Sequence, residues 1–149
     1  MSTEANKAVA RRYFEEYLNV GRGKVGDNLF VSDYRCHFPG FPDPTDRNEH
    51  DNLTVKFVGI QEGSFPDGHF IIEDMIAEGD RVMSRYTFHG TYQRPWIFKM
   101  APTGKLLSFT GTEVHRIADG RIVEQWSGFD TLEILQQLGA LPPLEMPNS

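Results

Sequence analysis

Two short stretches carry the residue types that acid–base chemistry needs. In Glu113-Val114-His115 a carboxylate and an imidazole stand two positions apart, so a strand would present both on one face, together with Phe109 and Gly111. The second stretch, Glu124-Gln125-Trp126-Ser127-Gly128-Phe129-Asp130, delivers a carboxylate at the end of an aromatic segment. Removing a proton next to a carbonyl requires a base within hydrogen-bond reach, plus donors where the enolate oxygen develops. A carboxylate in an apolar hollow is a stronger base than in water, because desolvation disfavours its charge. Asp130 is therefore a candidate acid/base. A local reading stands beside it, since Asp130-Thr131-Leu132-Glu133 has the form of a helix capping box. Glu113 divides similarly. It is either a second carboxylate in a cavity, with its pKa raised by burial, or an ordinary Glu facing Arg85 or Lys105 across strands.

Other chemistries lack their signatures. The five histidines are scattered, and neither H-E-x-x-H nor paired cysteines occur, so no zinc site or other metal is expected. G-x-S-x-G, G-x-G-x-x-G and P-loop patterns are absent, which removes serine hydrolase and nucleotide readings. The formal net charge of −6 argues against a nucleic-acid partner. Cys36 is the one cysteine, which fits a reducing compartment, and it reads as a small buried side chain. No apolar run reaches the roughly 18 residues of a membrane span. The expectation is a soluble, cytoplasmic protein with one domain over residues 1–149.

The elements that must position these groups follow from periodicity. Val9, Ala10, Tyr13, Phe14, Tyr17 and Leu18 recur at helical spacing between about residues 3 and 19, with Gly21 and Gly23 as stop signals. Residues 32 to 52 read as irregular, with Asp33–Phe38 as a short strand or a turn of helix. A second helix is expected from Asp51 or Asn52. After Phe65-Pro66-Asp67-Gly68 the period changes to two, giving strands at about 69–78, 81–91, 106–117 and 121–129, with turns at Glu78-Gly79-Asp80 and Ala118-Asp119-Gly120. A short helix follows Asp130. Helices first and a meander afterwards imply an α+β domain with helices on one face of a curved antiparallel sheet.

Strand 81–91 alternates Val82, Ser84, Tyr86 and Phe88 against Met83, Arg85, Thr87 and His89. Arg85 and His89 are candidates to reach the same concavity as Glu113 and His115. A three-residue hairpin loop would pair Glu113 with Gln125 and a four-residue loop with Trp126, while a bulge at Gly120 or Gly128 would shift either. Arg94–Met100 is an aromatic connection that reads as a pocket rim, a dimer contact, or both.

Taken together, Ile72–Val82, Gly90-Thr91, Pro102-Thr103-Gly104-Lys105, the Arg116–Trp126 hairpin, Asp130 and Leu135-Gln136-Gln137-Leu138-Gly139 resemble the SnoaL-like polyketide cyclase (ester cyclase) family. The resemblance implies the cone-shaped, cystatin-like α+β fold of the nuclear transport factor 2-like superfamily (NTF2-like), with helices closing the sheet around an apolar pocket. It implies cofactor-free intramolecular aldol condensation on a bulky apolar carbonyl compound such as an aromatic polyketide methyl ester, by a lyase or isomerase type of enzyme. It also implies Asp130 as acid/base and His115 and His37 as pocket histidines, and a homo-oligomer, dimer or tetramer. Two positions depart from the family pattern: Gln125 stands where many relatives have His, and His37 is followed by Phe38 rather than Asp. Trp126, Phe129 and Tyr86 are candidate aromatic walls, and Glu113 and Arg85 complete the expected substrate-binding set. The rival functions are a non-catalytic ligand-binding or dimerisation module, and a hydrolase or hydratase in the same pocket.

Overall fold

The computed structural model describes residues 2–20, 26–60 and 62–148. Gly21 and Gly23, expected to end the first helix, lie outside the described residues. Helix α1 (Thr3–Arg12) starts at Ser2, whose hydroxyl accepts from the Ala5 N–H. It continues as a π-helical segment, Tyr13–Leu18, closed by the Asn19 N–H donating to the Phe14 carbonyl. The wider turn lets Tyr13, Phe14, Tyr17 and Leu18 all face the core. Asn19 then clamps the helix to the sheet: its Nδ2 donates to the Phe70 carbonyl at 3.0 Å, and the Phe70 N–H donates back to its Oδ1 at 2.8 Å.

A short helix α2 (Gly26–Leu29) leads into β1 (Phe30–His37), which resolves the expected strand-or-helix ambiguity as strand. Helix α3 spans Arg47–Val58 and begins before the expected Asp51. Asp46 caps it by accepting from the Glu49 N–H, and Glu49 reaches back to the Thr45 N–H and hydroxyl. Strands β2 (His69–Glu78), β3 (Arg81–Thr91), β4 (Leu106–Ala118) and β5 (Arg121–Phe129) match their expected positions to within a residue, and α4 (Thr131–Gln137) follows.

The sheet order is β1-β5-β4-β3-β2. β2 to β5 form the expected antiparallel meander, but β1 pairs with β5 in parallel, so the sheet is mixed. The long connection from β1 to β5 makes this possible, since parallel neighbours need a crossover rather than a tight turn. The β4–β5 hairpin closes on Asp119 and Gly120, both with positive φ, a two-residue turn that matches strand twist. The α1–π helix and α3 cover one face of the sheet with an aromatic core that includes Phe14, Phe30, Phe57, Phe65, Phe88 and Phe109.

Gly111 in β4 is required by close packing. A Cβ there would fall 2.7 Å from the Gly128 carbonyl oxygen and closer still to Tyr86 Oη. Gly111→Ala should therefore destabilise the fold by about 1–3 kcal/mol, read as a lower urea midpoint at unchanged slope.

Candidate active site

Register decides which side chains meet. Ser84, Glu113 and Ser127 lie abreast on β3, β4 and β5, and Val82, His115 and Gln125 form the next row. The hairpin loop has two residues, and a bulge lies between the Arg116–Glu124 and Ile117–Ile122 pairs. Glu113 thus pairs with Ser127, neither of the partners that longer loops would give. The bulge puts Gln125, Ser127 and Phe129 on the inner face, where β3 contributes Ser84 and Tyr86.

These groups form one hydrogen-bonded chain. The Ser127 hydroxyl donates to Glu113 Oε2 at 2.9 Å. Gln125 Nε2 donates to Ser127 Oγ at 3.1 Å and to Tyr13 Oη at 3.0 Å, while its Oε1 faces His115 Nε2 at 3.3 Å. Because that oxygen can only accept, His115 carries its proton on Nε2, and its buried Nδ1 is a bare acceptor without a partner. Tyr13 packs edge-on against the imidazole with ring centroids 4.5 Å apart, so the π-helical segment roofs the site.

Burial sets the charges. It pushes the Glu113 carboxyl up to about 8, against the opposing pull of the Ser127 hydrogen bond. It pushes His115 down to about 4, although the Gln125 contact favours its protonated form. Tyr13 and Tyr86 are also raised by burial, with the nearby Glu113 adding to it. At neutral pH the site therefore holds a mostly protonated carboxylic acid and a neutral imidazole. Glu113 retains 5% exposure, whereas His115 and Gln125 have none. The buried Ser84 Oγ, abreast of Glu113, lacks a hydrogen-bond partner.

Of the expected site residues, Glu113, His115 and Tyr86 meet inside, with half-buried Phe129 one inward position beyond Ser127. Phe129 packs on Phe57 at 4.5 Å between centroids. Glu113 faces neither Arg85 nor Lys105. Asp130 lies outside this group: it is exposed, and its carboxylate accepts from the Glu133 N–H at 3.0 Å as the cap of α4. Arg85 belongs to the outer face, paired with Asp74 at 3.0 Å, because β3 parity opposes it to Ser84 and Tyr86. Trp126 and His37 also lie outside, stacked on each other at 5.6 Å, with Arg81 over the indole. His37 contacts Asp43 through Nδ1 and Glu124 through Nε2, and the Glu124 hydrogen bond leads in raising its pKa. His50, in the first turn of α3, is buried against Tyr34 and Phe38.

Sequence reasoning missed Tyr13, Ser84, Gln125 and Ser127 as site residues. Strand parity alone assigned Ser84 and Tyr86 a shared face, but Gln125 and Ser127 needed the bulge. Cys36 is buried and free, its thiol pushed up by burial. Four surface clefts of about 340 to 550 Å³ among the described residues are lined by other side chains, not by Glu113, His115 or Asp130. Among the described residues no helix is long and apolar enough to cross a membrane.

Residues 8–138 match the family model described as SnoaL-like polyketide cyclase. Solved structures similar to this chain include AclR, a candidate hydroxylase from Streptomyces galilaeus (24% identity, 97% of this chain and 91% of that one, TM-score 0.81). A candidate SnoaL-like polyketide cyclase from Jannaschia sp. CCS1 aligns at 19% identity over 94% and 95%, TM-score 0.81. IdmH, a candidate polyketide cyclase from Streptomyces antibioticus, aligns at 28% identity over 90% and 98%, TM-score 0.72. No curated protein matches the sequence.

The two buried titrating groups should leave opposite marks on stability. Glu113 has a folded pKa near 8 against an ordinary 4.5, so its contribution is full below pH 4.5 and is lost as pH rises to 8. His115 falls from 6.5 to about 4, so folding loses stability as pH drops through that interval. Urea unfolding from pH 4 to 9 should show Glu113→Gln flattening the alkaline limb by a few kcal/mol, and His115→Gln flattening part of the acid limb, the rest belonging to His50, which burial also lowers to about 4. Parallel pH curves for wild type and Glu113→Gln would contradict this burial.

Proposed function

Because the chain belongs to the SnoaL-like polyketide cyclase family, we propose that it is a cofactor-free cyclase-type enzyme in which Glu113, rather than Asp130, transfers the proton. The observation that carries this reading is the buried Glu113–Ser127–Gln125–His115 chain with its raised carboxyl pKa. The NTF2-like fold, a curved sheet closed by helices, is shared with the cyclase-named neighbours.

In this mechanism the ionised Glu113 removes a proton next to a substrate carbonyl, and the resulting enolate carbon attacks a second carbonyl to close the ring. The new carbon–carbon bond leaves an alkoxide, which takes the same proton back from Glu113, so no net proton is consumed. Ser127 holds the carboxyl oxygen in place, and Gln125 fixes the Ser127 rotor through its amide. His115 stays neutral and orients Gln125. Tyr86, whose phenol lies over Gly111, and Ser84, whose hydroxyl is unpaired, are the donors nearest the developing oxyanion. The substrate in this reading is a bulky apolar carbonyl compound, and reaching Glu113 requires the half-buried Phe129 to swing away from Phe57 and Phe109, on which it packs.

A second reading, a non-catalytic ligand-binding member, is favoured by the exposed, helix-capping Asp130. Turnover on an aromatic polyketide methyl ester separates them. Glu113→Gln should lower kcat by at least two orders of magnitude, and Asp130→Asn should stay within a few-fold. For the wild type, kcat should rise with pH toward an apparent pKa near 8. If Asp130→Asn abolishes turnover and Glu113→Gln does not, Asp130 is the base. Binding without turnover in the wild type supports the ligand-binding reading.

A further inference from the structure

A cleft of about 400 Å³ opens at the end of the molecule where α3 stops, and nothing in the proton-transfer chemistry uses it. Its walls are the C-terminal part of α3 (Lys56), the turn through Glu62 and Ser64, and the β3–β4 connection from Arg94 to Lys99. Three cations, Lys56, Arg94 and Lys99, line it against a single carboxylate, Glu62. Among the described residues none of these three cations has an ion-pair partner within 4 Å, although the chain carries a net charge of −6. Elsewhere on this surface most arginines are paired with a carboxylate, so the unpaired cluster is a local departure.

The cleft is also rigidly built. The Trp96 indole N–H donates to the Phe57 carbonyl at 2.7 Å, fastening the connection to α3. The Ser64 hydroxyl donates to the Pro95 carbonyl at 3.1 Å, and the Gln93 N–H donates to the Ser64 carbonyl at 2.8 Å, bracing the turn against the connection. Gly63 has a φ of +83°, and its missing Cβ leaves room for the Arg94 side chain, which a Cβ there would approach to 3.2 Å. Lys99 occupies the left-handed region with φ 55°, a conformation unfavourable for a residue with a side chain; its N–H donates to the Trp96 carbonyl at 2.8 Å. Trp96, Pro95 and Ile97 supply an apolar wall beside the charges.

We propose that this cleft binds a small amphipathic dianion, an aromatic or aliphatic body bearing a phosphate monoester or two carboxylates. Three cations and one carboxylate leave an excess of two positive charges, which a dianion matches. The guanidinium suits the forked recognition of phosphate or carboxylate, and the two ammonium groups add point charge. The volume is that of a small-molecule site rather than a macromolecular face. The wall of Pro95, Ile97 and the exposed edge of Trp96 favours an anion attached to an apolar body that can lie against it.

The two indole N–H signals report on the site separately, since Trp96 forms the cleft wall and Trp126 lies on the outer sheet face; a Trp126→Phe variant assigns them. Titration with 1-naphthyl phosphate should move the Trp96 indole resonance and not that of Trp126. 1-Naphthol and inorganic phosphate should each bind at least tenfold more weakly, and phthalate should compete if paired carboxylates are also accepted. Arg94→Gln and Lys99→Gln, each with unchanged backbone amide dispersion, should weaken 1-naphthyl phosphate about tenfold. The apparent affinity should fall with added salt. The proposal is overturned if naphthol binds as tightly as its phosphate, if inorganic phosphate alone matches it, if both indoles shift together, or if neither variant changes the affinity.

Discussion

A carboxyl group kept in a dry aromatic interior by one hydroxyl sets the terms for everything around it. Glu113 has too little exposure to be solvated as an anion, and among the described residues no cation is close enough to replace that solvation. Its proton is therefore retained to unusually high pH, and the groups beside it must be polar without being charged. Ser127, Gln125, Tyr13 and neutral His115 meet that condition. A lysine or arginine at position 125 would pull the carboxyl back toward an ordinary anion, whereas the amide serves as acceptor to His115 and donor to both Ser127 and Tyr13.

A single change of parity separates this interior from a second polar group on the other side of the same strands. Gln125 and Ser127 point inward, while Glu124 and Trp126 point outward, because one extra residue is accommodated at the bulge near the hairpin. The two faces treat the same residue types in opposite ways. Inside, burial raises a glutamate and lowers a histidine; outside, Glu124 is lowered by the hydrogen bond from His37, and His37 is raised by its two carboxylate neighbours. The outer set is stabilised by charge pairing in water, the inner by neutrality. Losing the bulge would exchange them and leave charges buried without partners.

Much of this was legible in the sequence. The four strands of the meander were marked by period-two alternation and by Gly-containing turns, and the chain's likeness to its family gave the helix-closed sheet. Glu113 and His115 were placed on a shared face by parity alone. What parity did not carry was the pairing between strands, because a bulge beside a two-residue loop shifts the register and reverses the facing of β5 at a point the sequence does not mark. The parallel pairing of β1 with β5 is a contact between residues nearly 90 positions apart, as in Cys36 with Gln125, and has no local signature. Asp130 illustrates the opposite case. Its capping-box pattern described its hydrogen bond to the Glu133 N–H, while its position after the last strand gave no sign that its carboxylate would be exposed and apart from Glu113 and His115. His50 lacked any such pattern, since one histidine early in a helix reads the same whether it faces solvent or Tyr34.

The cationic cleft and the buried carboxyl share a wall without sharing a field. Trp96 lines the cleft and also packs on Phe57, Phe65 and Phe109. Phe109 lies four residues before Glu113 on the same face of β4, about 13 Å away along the strand. The cleft cations are solvated at a surface, so water and salt screen them over that distance. Consistently, what perturbs Glu113 is its burial and the Ser127 hydrogen bond, with no contribution from Lys56, Arg94 or Lys99. An anion seated in the cleft would therefore leave the Glu113 proton where it is. The route left among the described residues is mechanical: fixing Trp96 restricts Phe57 and Phe109, which pack against Phe129, the inward residue two positions beyond Ser127. Charge at one end and acid at the other are thus joined by the packing of aromatic rings and not by a shared field.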